Sequence, residues 1–239
     1  MDKQNIHLIM NPTSAGGKTG KSRQYIIDKI KYYLGKNYTL WLTEKPADAI
    51  RHTISAIEKG GNLIIAVGGD GTIHEVVNGI CSKGVGNNNH STLGIISSGT
   101  GQDFVQSLGS STSIDEQLKI IKNGHTENID IGSVKFIDKS GTEVIRYFAN
   151  EFQVGIGGDV VNKVNSTEKH KSGLLTYGLA TVFILFKSSG YKMVLRVNDK
   201  EPFSGSFIGV IVANGNRMGG GMKLNVSGKL NDHHFDLIL

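Results

Sequence analysis

The chain has 239 residues, enough for one large domain or two small ones with a substantial apolar core. With 38% hydrophobic and 20% charged residues it is globular rather than disordered or fibrous, and 32 glycines against 3 prolines imply many tight turns or close backbone approaches. A formal charge of +5 favours anionic partners such as nucleotides or phospholipid surfaces; the basic residues form no stripe interleaved with aromatics, so no nucleic-acid partner is expected.

Residues 1 to 5 carry no signal-peptide pattern before the short apolar run Ile6 to Met10. That run reads as a buried strand, and the glycine-rich loop behind it leads into a helix over 21 to 35 with Tyr25, Ile26, Ile30, Tyr33 and Leu34 on one face. The unit recurs. "YTLWLT" (38 to 43) precedes a helix from about Ala47 to Lys59, "NLIIAV" (62 to 67) precedes "TIHEVVNGI", and "TLGIIS" (92 to 97) precedes a short helix near 103 to 108. Apolar strands without strict alternation, separated by helices, predict an α/β N-terminal domain, doubly wound around a mainly parallel sheet. The single cysteine, Cys81, cannot close an intrachain disulfide; it reads as a buried thiol in a cytoplasmic protein.

From about Glu127 the texture changes to "NIDIGSVKFI", "VIRYFANEFQV", "YKMVLRVND" and "SGSFIGVIVANG", which predict a second, mainly antiparallel β-sandwich domain. The expected units are 1–126 and 127–239, the second incomplete at its C-terminus. "GLLTYGLATVFILFK" (173 to 187) is strongly apolar but falls short of the ~20 residues of a membrane span. A buried or groove-lining helix and a membrane-contacting one both fit it. "GNNN" at 86 to 89 reads as an exposed loop.

The first motif is "IHLIMNPTSAGGKTGKS", whose Ala15 to Ser22 spacing fits a relaxed phosphate-binding P-loop. The strongest is "LIIAVGGDGTIHEVVNGI" (63 to 80), where a buried strand enters Gly68-Gly69-Asp70-Gly71-Thr72 and a helix follows. Glycines let backbone N–H groups approach a phosphate, and a helix N-terminus adds partial positive charge. Thr72 and Glu75 have capping-box spacing. Asp70 repels a bare phosphate unless a divalent cation or a sugar hydroxyl lies between them, so one of these is expected there. Plain turn chemistry also accounts for Gly-Asp-Gly. "GIISSGTGQDF" (94 to 104) repeats the strand-turn-helix design through Thr100 and Asp103. In a parallel sheet all strand C-termini share one edge, so the loops after residues 10, 43, 67 and 97 are expected to converge.

"NPTSAGGK", Thr43, "GGDGTIHEVVNGI", "GTGQDF", "FANEFQVGIGGDV" and "VANGNRMGGGMKL", in that order, resemble the diacylglycerol kinase catalytic-domain family, in particular its bacterial soluble lipid kinases. The resemblance implies ATP between the two domains and phosphate transfer to a lipid hydroxyl. It places ATP against Asn11, Pro12, Thr13, Ser14 and Ala15, against Thr43, against Gly68, Gly69, Asp70, Gly71, Thr72, Ile73 and His74, and against Thr100. Glu75 and Asp103 support that site. The nucleotide then meets "NPTSA", upstream of the Gly20-Lys21-Ser22 that a true P-loop, the other reading, would use.

The last motif is "SGKLNDHHFDLIL" (227 to 239). By chemistry alone Asp232, His233, His234 and Asp236 suit a transition metal, although adjacent histidines in a strand point to opposite faces. The resemblance instead implies a structural magnesium held by the Lys229 carbonyl, the Asp232 side chain and the His234 carbonyl. His233 stands where the family usually has Gly, which strains the turn if φ is positive there; a solvated polar turn is the other reading. The family also carries a downstream Asp-Gly-Glu motif whose Asp deprotonates the lipid hydroxyl. This general base is expected beyond Leu239.

The expected activity is an ATP- and magnesium-dependent lipid kinase acting on diacylglycerol or a related lipid alcohol. It carries transient contact with the inner membrane surface, anionic headgroups near Lys163, Lys169 and Lys171 or simply a solvated charge cluster there, and a homodimer. The alternatives are an NAD kinase, which shares "GGDGT", and a non-catalytic nucleotide-binding pseudokinase.

Overall fold

The computed structural model describes residues 5–82, 91–99, 101–155, 190–224 and 226–239. Thr100, the "GNNN" loop, the apolar stretch at 173 to 187, and Lys163, Lys169 and Lys171 lie outside the described residues.

Strands β1 (Ile6–Met10), β2 (Tyr38–Leu42), β3 (Leu63–Gly68) and β4 (Thr92–Ser97) pair in parallel in the order β2-β1-β3-β4. Every residue of β1 and β3 is buried, which explains their unbroken apolar runs. Alternate side chains feed two cores. Ile9, Ile64 and Ala66 pack with residues of α3 (Asp48–Glu58) and α4 (Asp70–Cys81) on one face. Leu8, Met10, Ile65 and Val67 pack with α2 (Arg23–Leu34) and α6 (Ile114–Asn123) on the other. Each fully buried large apolar side chain contributes about 1.5–3 kcal/mol over an exposed one. The N-terminal region is therefore doubly wound, as its pattern predicts.

Two local expectations change. On α2 the buried residues are Ile26, Ile27 and Ile30, while Tyr25 is exposed. The face is rotated because α2 must also meet α6, where Lys29 and Tyr33 both donate to Asp115. The expected Thr72–Glu75 capping box does not form: α4 begins at Asp70 behind Gly69, with no side-chain cap. Glu75 reaches instead across to α3, accepting from Ala47 N at 3.0 Å and Ala49 N at 3.1 Å. It thereby satisfies orphan donors at another helix's N-terminus.

The C-terminal region is antiparallel throughout its described strands. β5 (Gly132–Ile137) pairs with β6 (Glu143–Phe148), and β8 (Tyr191–Leu195) with β9 (Phe203–Phe207). β10 (Gly209–Ala213) lies between β7 (Glu151–Gly155) and β13 (Asp236–Ile238), and β11 (Arg217–Met218) meets β12 (Met222–Lys223). "VIRYFANEFQV" thus divides between two sheets at Ala149 and Asn150. Asn150 is drawn out of the ladder: its carbonyl accepts from Asn214 N and Gly215 N, and its Nδ2 donates to the Arg217 carbonyl at 2.7 Å.

The two regions share a core. Ala149 and Leu230 are buried among Val76, Val77, Phe104 and Val105, the last two from α5 (Asp103–Ser107). Among the described residues no helix is long and apolar enough to cross a membrane.

Candidate functional site

The sheet brings the C-terminal ends of its four strands level. Thr43 N donates to the Met10 carbonyl at 3.0 Å, Asn11 N to the Val67 carbonyl at 3.0 Å, and Ser98 N to the Gly68 carbonyl at 2.8 Å. The loops that follow therefore leave along one edge, the position where open α/β sheets bind ligands. Behind β1, Asn11 Oδ1 accepts from both the amide and the hydroxyl of Thr13, and Pro12, Ser14 and Ala15 complete the turn. Ala15 holds φ at 54°, followed by Gly16 and Gly17 also at positive φ. Ser14 Oγ stands 3.4 Å from Gly69 N and 3.4 Å from Thr72 Oγ1, tying this loop to the one after β3.

The loop after β4 touches the same corner. A Cβ built on Gly99 falls 2.7 Å from Gly69 Cα, a separation that no side chain tolerates. Two glycines from segments far apart in sequence thus lie backbone against backbone. Gly101 sits between carboxylates, its ideal Cβ position 3.0 Å from Asp70 Oδ2 and 3.4 Å from Asp103 Oδ2.

Those carboxylates differ in role. Asp103 is buried at the first turn of α5, accepting from Gly220 N at 2.8 Å and Gly221 N at 2.6 Å, so it clamps the loop after β11 to the rim. Asp70 accepts from Phe104 N at 3.2 Å. Burial pushes its carboxyl above the ordinary range, the Phe104 amide opposes this, and the neighbouring Asp103 charge adds to it. A half-buried acid beside a second acid is stabilised in its ionised form by a cation. Ile73 is buried in the core with Val76 and Val77, and His74 lies exposed beside Asn78.

A family model described as the diacylglycerol kinase catalytic domain matches residues 5–134. A diacylglycerol kinase of Staphylococcus saprophyticus is 30% identical over 237 residues, covering 99% of this chain and 73% of that protein. One from Staphylococcus aureus is 31% identical over 238 residues, covering 99% and 70%. This chain belongs to the diacylglycerol kinase catalytic-domain family. Its fold matches that of a diacylglycerol kinase crystal structure from Bacillus anthracis with a TM-score of 0.71 at 23% identity, over 99% of this chain and 73% of that one. Membership makes the chain a kinase, and kinase chemistry brings with it ATP and a divalent metal ion.

The turn expected to carry the family's structural metal precedes β13. His233 stands at φ 62°, the left-handed conformation that favours the family's Gly. The turn is held in place by Asp130, whose Oδ2 accepts from His233 N at 2.7 Å. Asp232 Oδ1 accepts from His234 N at 3.1 Å, and His234 Nδ1 lies 2.6 Å from the Asp232 carbonyl. The transition-metal reading fails: among the described residues no three His, Cys, Asp or Glu side chains converge as ligands. Asp236 accepts from Ser227 and Gly228 instead.

Several residues escaped the sequence reading. Asn78, buried on α4, donates to the Tyr147 carbonyl and accepts from Tyr147 N, both at 2.9 Å, stitching α4 to β6. Asn214 donates to the carbonyls of Asp130 and Ala149, both at 2.8 Å. Each sits in an otherwise apolar run, and a polar side chain at a core position is the signal that could have found them. Glu151 lies on β7 beside Asn150, whose Nδ2 donates to it. Its carboxyl is pushed up to about 7 by burial, reinforced by the charges of Asp103 and Asp70.

Proposed function

We propose that the protein is an ATP- and Mg2+-dependent lipid kinase that phosphorylates the hydroxyl of diacylglycerol or a related lipid alcohol. The observation that carries this reading is the meeting of the loops after β1, β3 and β4 at one rim, with Gly69 and Gly99 in backbone contact beside Asp70. Close glycine packing leaves main-chain amides, rather than side chains, as the donors available to a triphosphate. On this reading Asn11 to Ala15, Thr43, Gly68 to His74 and Thr100 line the nucleotide site, and Glu75 and Asp103 brace it from behind. Residues 1–126 form the nucleotide-binding unit and 127–239 the partner unit, with lipid entering between them.

Mg2+ neutralises phosphate charge in such reactions. Hard oxygen donors suit it, and Asp70 presents a carboxylate at the rim. The Lys229 carbonyl, Asp232 and the His234 carbonyl form a second oxygen set in a turn whose left-handed residue is already in place at His233. Asp70 positions metal or hydroxyl. Cytoplasmic residence with transient membrane-surface contact, and a homodimer, complete the proposal.

With labelled ATP and the complete natural chain, labelled phosphate is expected in the chloroform-soluble product when diacylglycerol is supplied, and none when NAD replaces it. Label in NADP with none in lipid would move the protein to the NAD kinases. Stabilisation by ATP without any phosphorylation would make it a nucleotide-binding module.

A further inference from the structure

The segment "GKTGKS" (17 to 22), which resembles the end of a P-loop, has a different part in this fold. It forms the short helix α1 (Lys18–Lys21), folded back so that Gly20 N donates to the Pro12 carbonyl at 2.9 Å. Within it Thr19 is 1% exposed although it is a polar residue on a surface turn. Its Oγ1 lies 3.3 Å from the Ser14 carbonyl and 2.8 Å from Ser98 Oγ.

Either hydroxyl of the Thr19–Ser98 pair can donate, and the proton count links that choice to the Ser14 contact. A hydroxyl donates one hydrogen. If Thr19 donates to the Ser14 carbonyl, Ser98 must donate to Thr19, and the Ser98 hydroxyl has no proton left for a ligand. Ser98 is itself fixed from the other side, through its amide on the Gly68 carbonyl, and is followed by Gly99 against Gly69. Thr19 therefore joins the loop after β1 to the loop after β4, while the Ser14 hydroxyl joins the first to the loop after β3.

We propose that Thr19 and Ser98 are positioning residues, whose hydroxyl contact sets the spacing of the loops that hold the nucleotide phosphates. The inference rests on the ATP reading of the rim. It predicts that the pair acts on nucleotide binding through Gly99 and Ser14, without touching the reacting atoms.

The test is steady-state kinetics of the complete natural chain with ATP varied at saturating diacylglycerol. Thr19→Val keeps the shape and removes the hydroxyl; it is expected to raise the KM for ATP about fivefold with kcat within about twofold, the scale of one lost hydrogen bond. Thr19→Ser is expected to restore the wild-type KM. Ser98→Ala reaches the same contact from its less buried side, so it serves if Thr19→Val does not fold, and it is expected to give the same increase. The double variant should be no worse than either single one, as for two halves of one interaction. An unchanged KM in Thr19→Val or Ser98→Ala, with only the melting temperature lowered, overturns the inference and leaves the ATP site standing. If the wild-type chain itself shows no dependence on ATP, the site reading falls and takes the inference with it.

Discussion

The two halves of the chain place their apolar residues differently. In the parallel sheet β1 and β3 are buried at every position, and helices cover both faces. In the antiparallel region Val194 is 74% exposed, Ile137 63% and Ile145 50%, so these strands keep large side chains in contact with solvent. The first half builds a rigid edge from its own packing. The second joins that edge by packing Ala149 and Leu230 into its core and by polar stitches: Asn78 to Tyr147, Asp103 to Gly220 and Gly221, and Ser107 to Asn150 at 3.0 Å. The described strands of the second half are thus fixed at particular residues to the dense core that carries the loops of the first.

The sharpest way to separate chemistry from scaffold is Asp70→Asn, which retains shape and removes charge at the rim. Kinase activity is expected to fall on the order of 10²–10³-fold, with far-UV circular dichroism unchanged. Full activity would remove Asp70 from the mechanism.

The contrast in packing is probed by truncating one strand residue in each half. Ile65→Ala, fully buried in β3, is expected to cost about 2–5 kcal/mol in urea unfolding. Val194→Ala, on exposed β8, should stay within about 0.5 kcal/mol. Equal losses would break the comparison.

The stitches should rank below the core. Asn78→Ala leaves both polar groups of Tyr147 without that partner, an expected cost of about 1–3 kcal/mol by the same measurement. A neutral result would show that α4 and β6 are held by apolar contact alone.

A further contrast concerns pH. The Glu151 carboxyl rises from an ordinary 4.5 to about 7 in the folded protein, so between these values the folded state binds more protons than the unfolded one. Its contribution is fully present below pH 4.5 and is lost as pH rises through 7. Measured against Glu151→Gln, the wild type should lose stability over that interval while the variant does not. Parallel stability curves for the two proteins would contradict the assignment.

Much of this was legible in the chain. Continuous apolar runs announced the parallel strands because burial on both faces removes alternation, and the glycines around Asp70 and Thr100 announced close backbone approach. The capping partner of Glu75 was not legible, since a carboxylate three residues into a helix reaches its own N-terminus or a neighbour's with equal local spacing. Only the packing of α3 against α4 decides between them. The division of "VIRYFANEFQV" was hidden for a similar reason: Asn150 leaves the ladder for partners more than 60 residues away. Thr19 was read as part of a phosphate-loop pattern, and its burial against Ser98 depends on a fold-back that spacing alone does not encode.

The central claim is that distant glycine corners form one triphosphate site. Amide NMR of the deuterated chain, titrated with a non-hydrolysable ATP analogue and Mg2+, addresses it directly. The amides of Ser14, Gly69, Gly71, Ser98 and Gly99 are expected to shift together along a single saturation curve. Saturable shifts confined to the antiparallel strands, with these five amides unmoved, would contradict it.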